Sequence, residues 1–135
     1  MNSEAAIYGI LSADATLTAL VGTRIYPEVA PNGAANPCIV YSESTPEYSD
    51  NKDGVSKLDT NLIQVDVYAS TAASRNTIGA RIRTLLDRYS GTVNSIYVQS
   101  IQMVYSLKLI EPVNDVNDVK VYRQTMDFKL RQRIA

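Results

Sequence analysis

The chain has 135 residues and no histidine. That absence excludes Ser-His and Cys-His nucleophilic schemes and any histidine metal site. It has one cysteine, Cys38, so neither an internal disulfide nor a thiolate metal cluster can form within one chain. Carboxylate, lysine or tyrosine chemistry survives only in principle, and no enzyme activity, cofactor or metal is expected. Tryptophan is absent and phenylalanine occurs once, so the aromatic content is carried by nine tyrosines. Excess charge is also missing. Lys plus Arg number 13 against 14 Asp plus Glu, and a net charge of −1 supplies no bulk field for nucleic acid. No apolar run approaches the ~20 residues of a membrane helix, and "MNSEAAIYG" lacks the basic patch and apolar run of a secretion signal. These features predict a soluble protein retained in a reducing cytoplasm, with no membrane partner.

What is present suits one globular domain spanning 1–135, with a 45% apolar and 20% charged composition. "EAAIYGILSADATLTALVG" places Ile7, Ile10 and Leu11 at helical spacing. Asp14 then reads as a fresh N-cap, which gives one broken helix or two short ones ending at Gly22. "TRIYP" is a brief extended segment and "EVAPNGAAN" a loop. "PCIVYSESTP" reads as a strand bounded by Pro37 and Pro46. Asp53-Gly54 marks a hairpin turn, with "LDTNLIQVDVYAS" as the return strand. Ile63, Val65, Val67 and Ala69 share its core face, and Gln64, Asp66 and Tyr68 share the other.

A helix follows, with Ile78, Ile82, Leu85, Leu86 and Tyr89 within a stripe roughly 100° wide and Gly91 as its stop. Two strands finish the chain. Ile101, Met103, Tyr105, Leu107 and Leu109 alternate, as do Met126, Phe128 and Leu130. Ile96 and Val98 have the opposite parity, which predicts a bulge near Gln99-Ser100. The expected class is α+β: a mainly antiparallel sheet of about four to five strands, two main helices on one face and a long β-hairpin.

Four features compete as sites. The Ser70–Ser74 run opening the helix can hold an anion beside Arg75, but it lacks the glycine cradle and lysine of a phosphate loop, so capping is the expected use. "SDNKDG" resembles part of a calcium loop starting at Ser49, yet Thr60 stands where a bidentate glutamate belongs. Cys38 has no base partner and reads as an inert buried thiol. Tyr68, Tyr97 and Tyr122 lie on strands without a basic cluster around them, which favours a protein interface over base stacking.

Charge is segregated along the chain. Acids gather in the hairpin, at Glu43, Glu47, Asp50, Asp53 and Asp59, and again in the 111–118 loop. Bases gather on the second helix (Arg81, Arg83, Arg88) and the last strand (Arg123, Arg131, Arg133). Solvated faces explain such a pattern by default. The sharper expectation is head-to-tail association of a basic side with an acidic one, which closes into rings.

"IYGILSADATLTALVGTRIYP", "NPCIVYSE" and "IQVDVYAS" running into a helix together resemble the tail-completion or tail-terminator (tail-to-head joining) proteins of long-tailed bacteriophages. The resemblance runs from about Ile7 to Leu130. It implies a non-enzymatic virion protein assembled as a homo-hexameric ring on the last ring of the tail tube. Its partners would be the tail tube protein and a head-side connector or stopper protein. DNA would pass through the lumen without specific binding, and assembly would occur in the host cytoplasm. Under this reading the arginines named above are subunit-interface candidates, and Glu47, Asp50, Asp53 and Asp59 mark a tube- or lumen-facing hairpin. Two alternatives stay open: a head-closure or stopper ring, and a small nucleic-acid-binding α/β domain.

Overall fold

Asp14 divides the N-terminal helical stretch. Its backbone is extended (φ −85°, ψ 117°), and its carboxylate accepts the Leu17 N–H at 2.8 Å. A residue so placed ends one helix and caps the next. In this computed structural model, which describes residues 3–31, 35–51, 54–112 and 120–133, α1 is Ser3–Ala13 and α2 is Ala15–Val21, meeting at 90°. Side chains are described for all of these except residues 3, 44–51, 54–59, 111–112, 120 and 133. Gly22, at φ 61°, closes α2 by donating its N–H to Thr18 O at 2.7 Å.

The remaining elements are β1 (Ile25–Pro27), β2 (Cys38–Asn51), β3 (Gly54–Ala69), α3 (Ala72–Leu86), β4 (Gly91–Val93), β5 (Ile96–Pro112) and β6 (Lys120–Arg133). They form a six-stranded sheet ordered β1-β2-β3-β6-β5-β4, antiparallel except where β1 pairs with β2. The α+β class is as expected. The brief extended segment is β1, the sheet gains one further three-residue strand, β4, and the first helical stretch is two short helices, one of its two expected forms. All three helices lie on one face of the sheet, over Ile39, Ile63, Val65, Val67, Met126, Phe128 and Leu130.

Several boundaries differ from the sequence expectation. β2 runs on through Pro46, which stands opposite Asn61. Its outer side is covered by β1 only from Ile39 to Tyr41, and on an open edge proline's missing N–H leaves no ladder bond unmade. The return strand starts at Gly54, already paired with Asn51, while Asp53 lies outside the described residues.

The helix α3 ends at Leu86, before Gly91. Contacts to β5 take the chain away there: Arg88 N–H donates to Ile101 O at 2.7 Å, Ile101 N–H to Tyr89 O at 3.1 Å, and Met103 N–H to Asp87 Oδ1 at 3.0 Å. Arg88 absorbs the reversal at φ 66°, and Gly91 begins β4 instead. Asn94 and Ser95, both at positive φ, make the tight turn into β5.

In β5 the expected bulge lies between Val98 and Ser100. A second one lies between Met103 and Tyr105. Each inserted residue reverses which face the following side chains occupy. The predicted single row therefore breaks. Ile101 is buried and Met103 half-buried in the core, whereas Tyr105, Leu107 and Leu109 turn to the opposite face and are 50%, 41% and 36% exposed.

Candidate interaction surface

The hydroxyl-rich turn before α3 is a cap. Thr71 is extended, and its Oγ1 accepts the Ser74 N–H at 3.2 Å. Arg75, the cation beside the turn, is buried. Its guanidinium donates to Leu109 O at 3.2 Å and lies 5.6 Å from the Tyr122 ring centroid. A buried guanidinium needs donors met and charge balanced, and a carbonyl with an aromatic face supplies both. Arg75 thus ties α3 to the β5–β6 ribbon.

In the stretch resembling a calcium loop, Asp50 pairs with Val55 and Asn51 with Gly54, and Thr60 pairs with Glu47, across a β-ladder; Lys52 and Asp53 lie outside the described residues. Cys38 is buried, and burial pushes its thiol above the ordinary value while nearby Arg24 opposes the shift. A cleft of about 590 Å³ opens between α1, α3 and the β4–β5 turn. Its one described acid, Asp14, is already engaged by Arg81.

The candidate arginines fall on two sides of the sheet. Arg81 grips Asp14 with both arms (2.6 and 2.9 Å) and holds the α1–α2 corner against α3. Arg83 is well exposed and lies 3.9 Å from Asp87. Arg88 is exposed in the turn that follows. Arg123 is on the opposite face, 3.3 Å from Asp66 and 5.4 Å from the Tyr68 ring centroid. Arg131 shares that face and is exposed, while the side chain of Arg133 lies outside the described ones. Glu47, Asp50 and Asp59 stand on the outer β2–β3 hairpin; their side chains too are outside the description. A guanidinium therefore faces Tyr68 on one side of the sheet and Tyr122 on the other. Those two tyrosine rings are thus each engaged by an arginine, whereas Tyr97 is exposed.

Beneath Tyr68, Asp66 accepts hydrogen bonds from Thr125 Oγ1 (2.7 Å), Gln64 Nε2 (3.0 Å) and Arg123 (3.3 Å). Asp127, on the same face, has a buried Oδ1 with no hydrogen-bond partner. Its carboxyl is pushed above the ordinary range by burial, with the Asp66 charge adding to the shift.

The surface that sequence reading missed is the lower half of β5. β4 covers β5 only at Ile96–Val98, and the Asp87–Tyr89 turn covers Ile101–Met103. From Val104 to Pro112 the outer side of β5 has no neighbour among the described residues. Val104, Tyr105, Leu107, Leu109 and Ile110 are all exposed there, 36% to 55%. Apolar residues of both parities in "MVYSLKLI" were the available signal, since a strand packed on one face alternates instead. A long, open and apolar strand edge marks a protein joint.

The fold and this edge define a structural module built for assembly with other protein chains. The chain belongs to the family described as Tail completion protein gp17, which matches residues 5–133. It is a structural protein of a bacteriophage tail, and so of the virion. Twenty-two chains of solved structures also match. One of them comes from the virion of a native gene transfer agent particle, with a TM-score of 0.64, 21% identity, 98% of this chain covered and 93% of that chain. At that identity the match establishes a shared fold. No curated protein matches.

Proposed function

We propose that copies of this chain form a hexameric ring on the head-proximal end of the tail tube. The ring ends tube growth and joins the tail to the head-side connector, with no reaction to perform. The observation that carries this reading is the apolar edge Val104–Pro112 in a tail-completion chain: among the described residues no strand pairs with its outer side, and a neighbouring protein strand fits there. Termination is then capping by shape. The ring covers the tube's exposed end and offers a different surface outward, so no further tube subunit can add. DNA passes through the lumen unbound, which agrees with a net charge of −1.

The test is removal. Particles assembled without the protein should carry tubes of irregular, excessive length and no heads, and added protein should restore uniform length. Electron microscopy should locate a tagged copy at the neck. Uniform tails in its absence would sink the terminator role. A tag on the connector side of a separate terminating ring would assign the protein to the stopper instead.

A further inference from the structure

Among the described residues the sheet has two incompletely covered edges, and they occupy opposite corners. Tyr105, Asp127, Gln64 and Ser42 stand in one row across β5, β6, β3 and β2. On the β5 side the edge is open from Val104 away from the β2–β3 hairpin. On the β2 side it is open from Ser42 toward that hairpin. The hairpin's outer end, where Asp50 pairs with Val55 and Asn51 with Gly54, runs past Arg133, the last described residue of β6. There no third strand pairs with it among the described residues, and a two-stranded ribbon alone is marginal in water. One corner therefore lacks a strand, and the other projects strands that lack support.

Backbone direction says which groups face outward. In β5 the outward bonds of Ile101 and Met103 set the phase, and the bulge at Val104 shifts it by one residue. Alternation then turns the N–H and C=O of Ser106, Lys108 and Ile110 to the open side. In β2 the outward bonds of Ile39 and Tyr41 set the phase, and the bulge after Glu43 shifts it likewise. Pro46 and Tyr48 then face outward, up to a second register shift between Tyr48 and Asp50. Pro46 has no N–H to give, so a usable ladder begins beyond it.

We propose, resting on the ring reading above, that the joint between neighbouring subunits is strand addition: the β2 segment Glu47–Asn51 of one copy pairs antiparallel with the open β5 edge Val104–Pro112 of the next. Three observations choose a second copy as the occupant. The two strands run in opposite senses within the sheet, so a neighbour in the same orientation continues the antiparallel alternation. Charge is complementary: residues 43–59 hold five acids against Lys52 and Lys57, while the open β5 edge holds Lys108 at its middle and Glu111 only next to Pro112. A two-fold pairing of β5 with itself about its middle instead sets Lys108 against Lys108, which is unfavourable. Because donor and acceptor lie at opposite corners, the contact is heterologous, and the strands slant to the ring axis as in a closed barrel.

The experiment uses assembled particles carrying Tyr48→Cys together with Lys108→Cys, treated with a short bismaleimide. The parallel pair Thr92→Cys with Lys108→Cys and each single variant serve as controls. The expected result is a series of covalent multimers extending past the dimer for the first pair and for no control. Covalent dimers alone would overturn the head-to-tail geometry. A ring visible at the tube end without covalent multimers would overturn the joint and leave the ring reading standing. No ring at the tube end would remove the ring reading itself, and this inference with it.

Discussion

Arg81 reaches from α3 to clasp Asp14 at 2.6 and 2.9 Å, and the same carboxylate caps α2 through the Leu17 N–H at 2.8 Å. One side chain thus sets the corner between two helices and fixes that corner on a third. The hydrogen bond from Arg81 is the main reason the Asp14 carboxyl is held below its ordinary value of 3.8. A depressed carboxylate contributes stability that is full above the unfolded value and is lost as pH falls through the folded one. Asp14→Ala should lower the melting temperature at neutral pH. Melts recorded from neutral to strongly acidic pH should show the difference from the parent shrinking below 3.8; a constant gap would contradict the ion pair's role.

Gly79 of α3 sits directly over Gln124 of β6. A Cβ at Gly79 would run into the Gln124 amide, whose Nε2 is committed to Ser106 Oγ at 3.0 Å. Glycine to alanine inside a helix ordinarily stabilises by up to about 1 kcal/mol. Here the sign reverses, and Gly79→Ala should cost roughly 1–3 kcal/mol through overpacking. Urea denaturation measures this. Adding Gln124→Ala should recover part of the loss, because the clash partner is gone.

Asp127 shows the opposite pH behaviour to Asp14. Burial, with Asp66 adding, raises its carboxyl above 3.8. A group raised on folding favours the folded state below the unfolded value, and that contribution is lost as pH rises through the folded one. At neutral pH the native state therefore holds a buried charge with an unpartnered oxygen. Asp127→Asn should raise the melting temperature near neutral pH, with the gain vanishing below 3.8. An unchanged or lowered neutral melting temperature would show that the carboxylate has found compensation.

Charge reversal tests the basic side of the proposed ring, and the choice of residue matters. Arg81→Glu would also break the clasp on Asp14, so lost assembly there would not separate folding from contact. Arg83 and Arg88 are exposed, and substitutions at such sites usually change stability by less than about 0.5 kcal/mol. The double variant Arg83→Glu with Arg88→Glu should therefore melt like the parent yet weaken ring formation by native mass spectrometry or microscopy of assembled tails. Unchanged rings would remove these two residues from the interface.

Local signals carried much of the architecture. The Asp14 break, the long hairpin, the buried row Ile63–Ala69 and the bulge at Gln99 could all be read because spacing and turn chemistry act within a few residues. What escaped depended on distant partners. α3 stops early because β5 engages the Asp87 carboxylate, the Arg88 amide and the Tyr89 carbonyl, and no local residue announces that. Pro46 reads as a strand end until β1 is known to cover only Ile39–Tyr41. The second bulge flips Tyr105, Leu107 and Leu109 outward, and a run of alternating apolar residues looks the same either way. The interaction surface was hidden in that single alternating row: Tyr105, Leu107 and Leu109 stand on the face opposite Ile101 and Met103 and are exposed.

Those exposed side chains give the sharpest separation of folding from assembly. Leu107 stands opposite Thr125 on the face away from the helices and is 41% exposed. Replacing a half-exposed leucine with lysine removes little buried area, and a lysine on an edge strand is a common guard against strand addition. Leu107→Lys should therefore leave the melting temperature within a few degrees of the parent. The free chain should become less prone to self-association in sedimentation, because the apolar edge is interrupted. Particles carrying the variant should show overlong tubes, as if the protein were absent, since a ring that cannot close cannot cap. A variant that melts normally and still yields uniform, head-bearing tails would mean that the face of β5 bearing Leu107 plays no part in the joint.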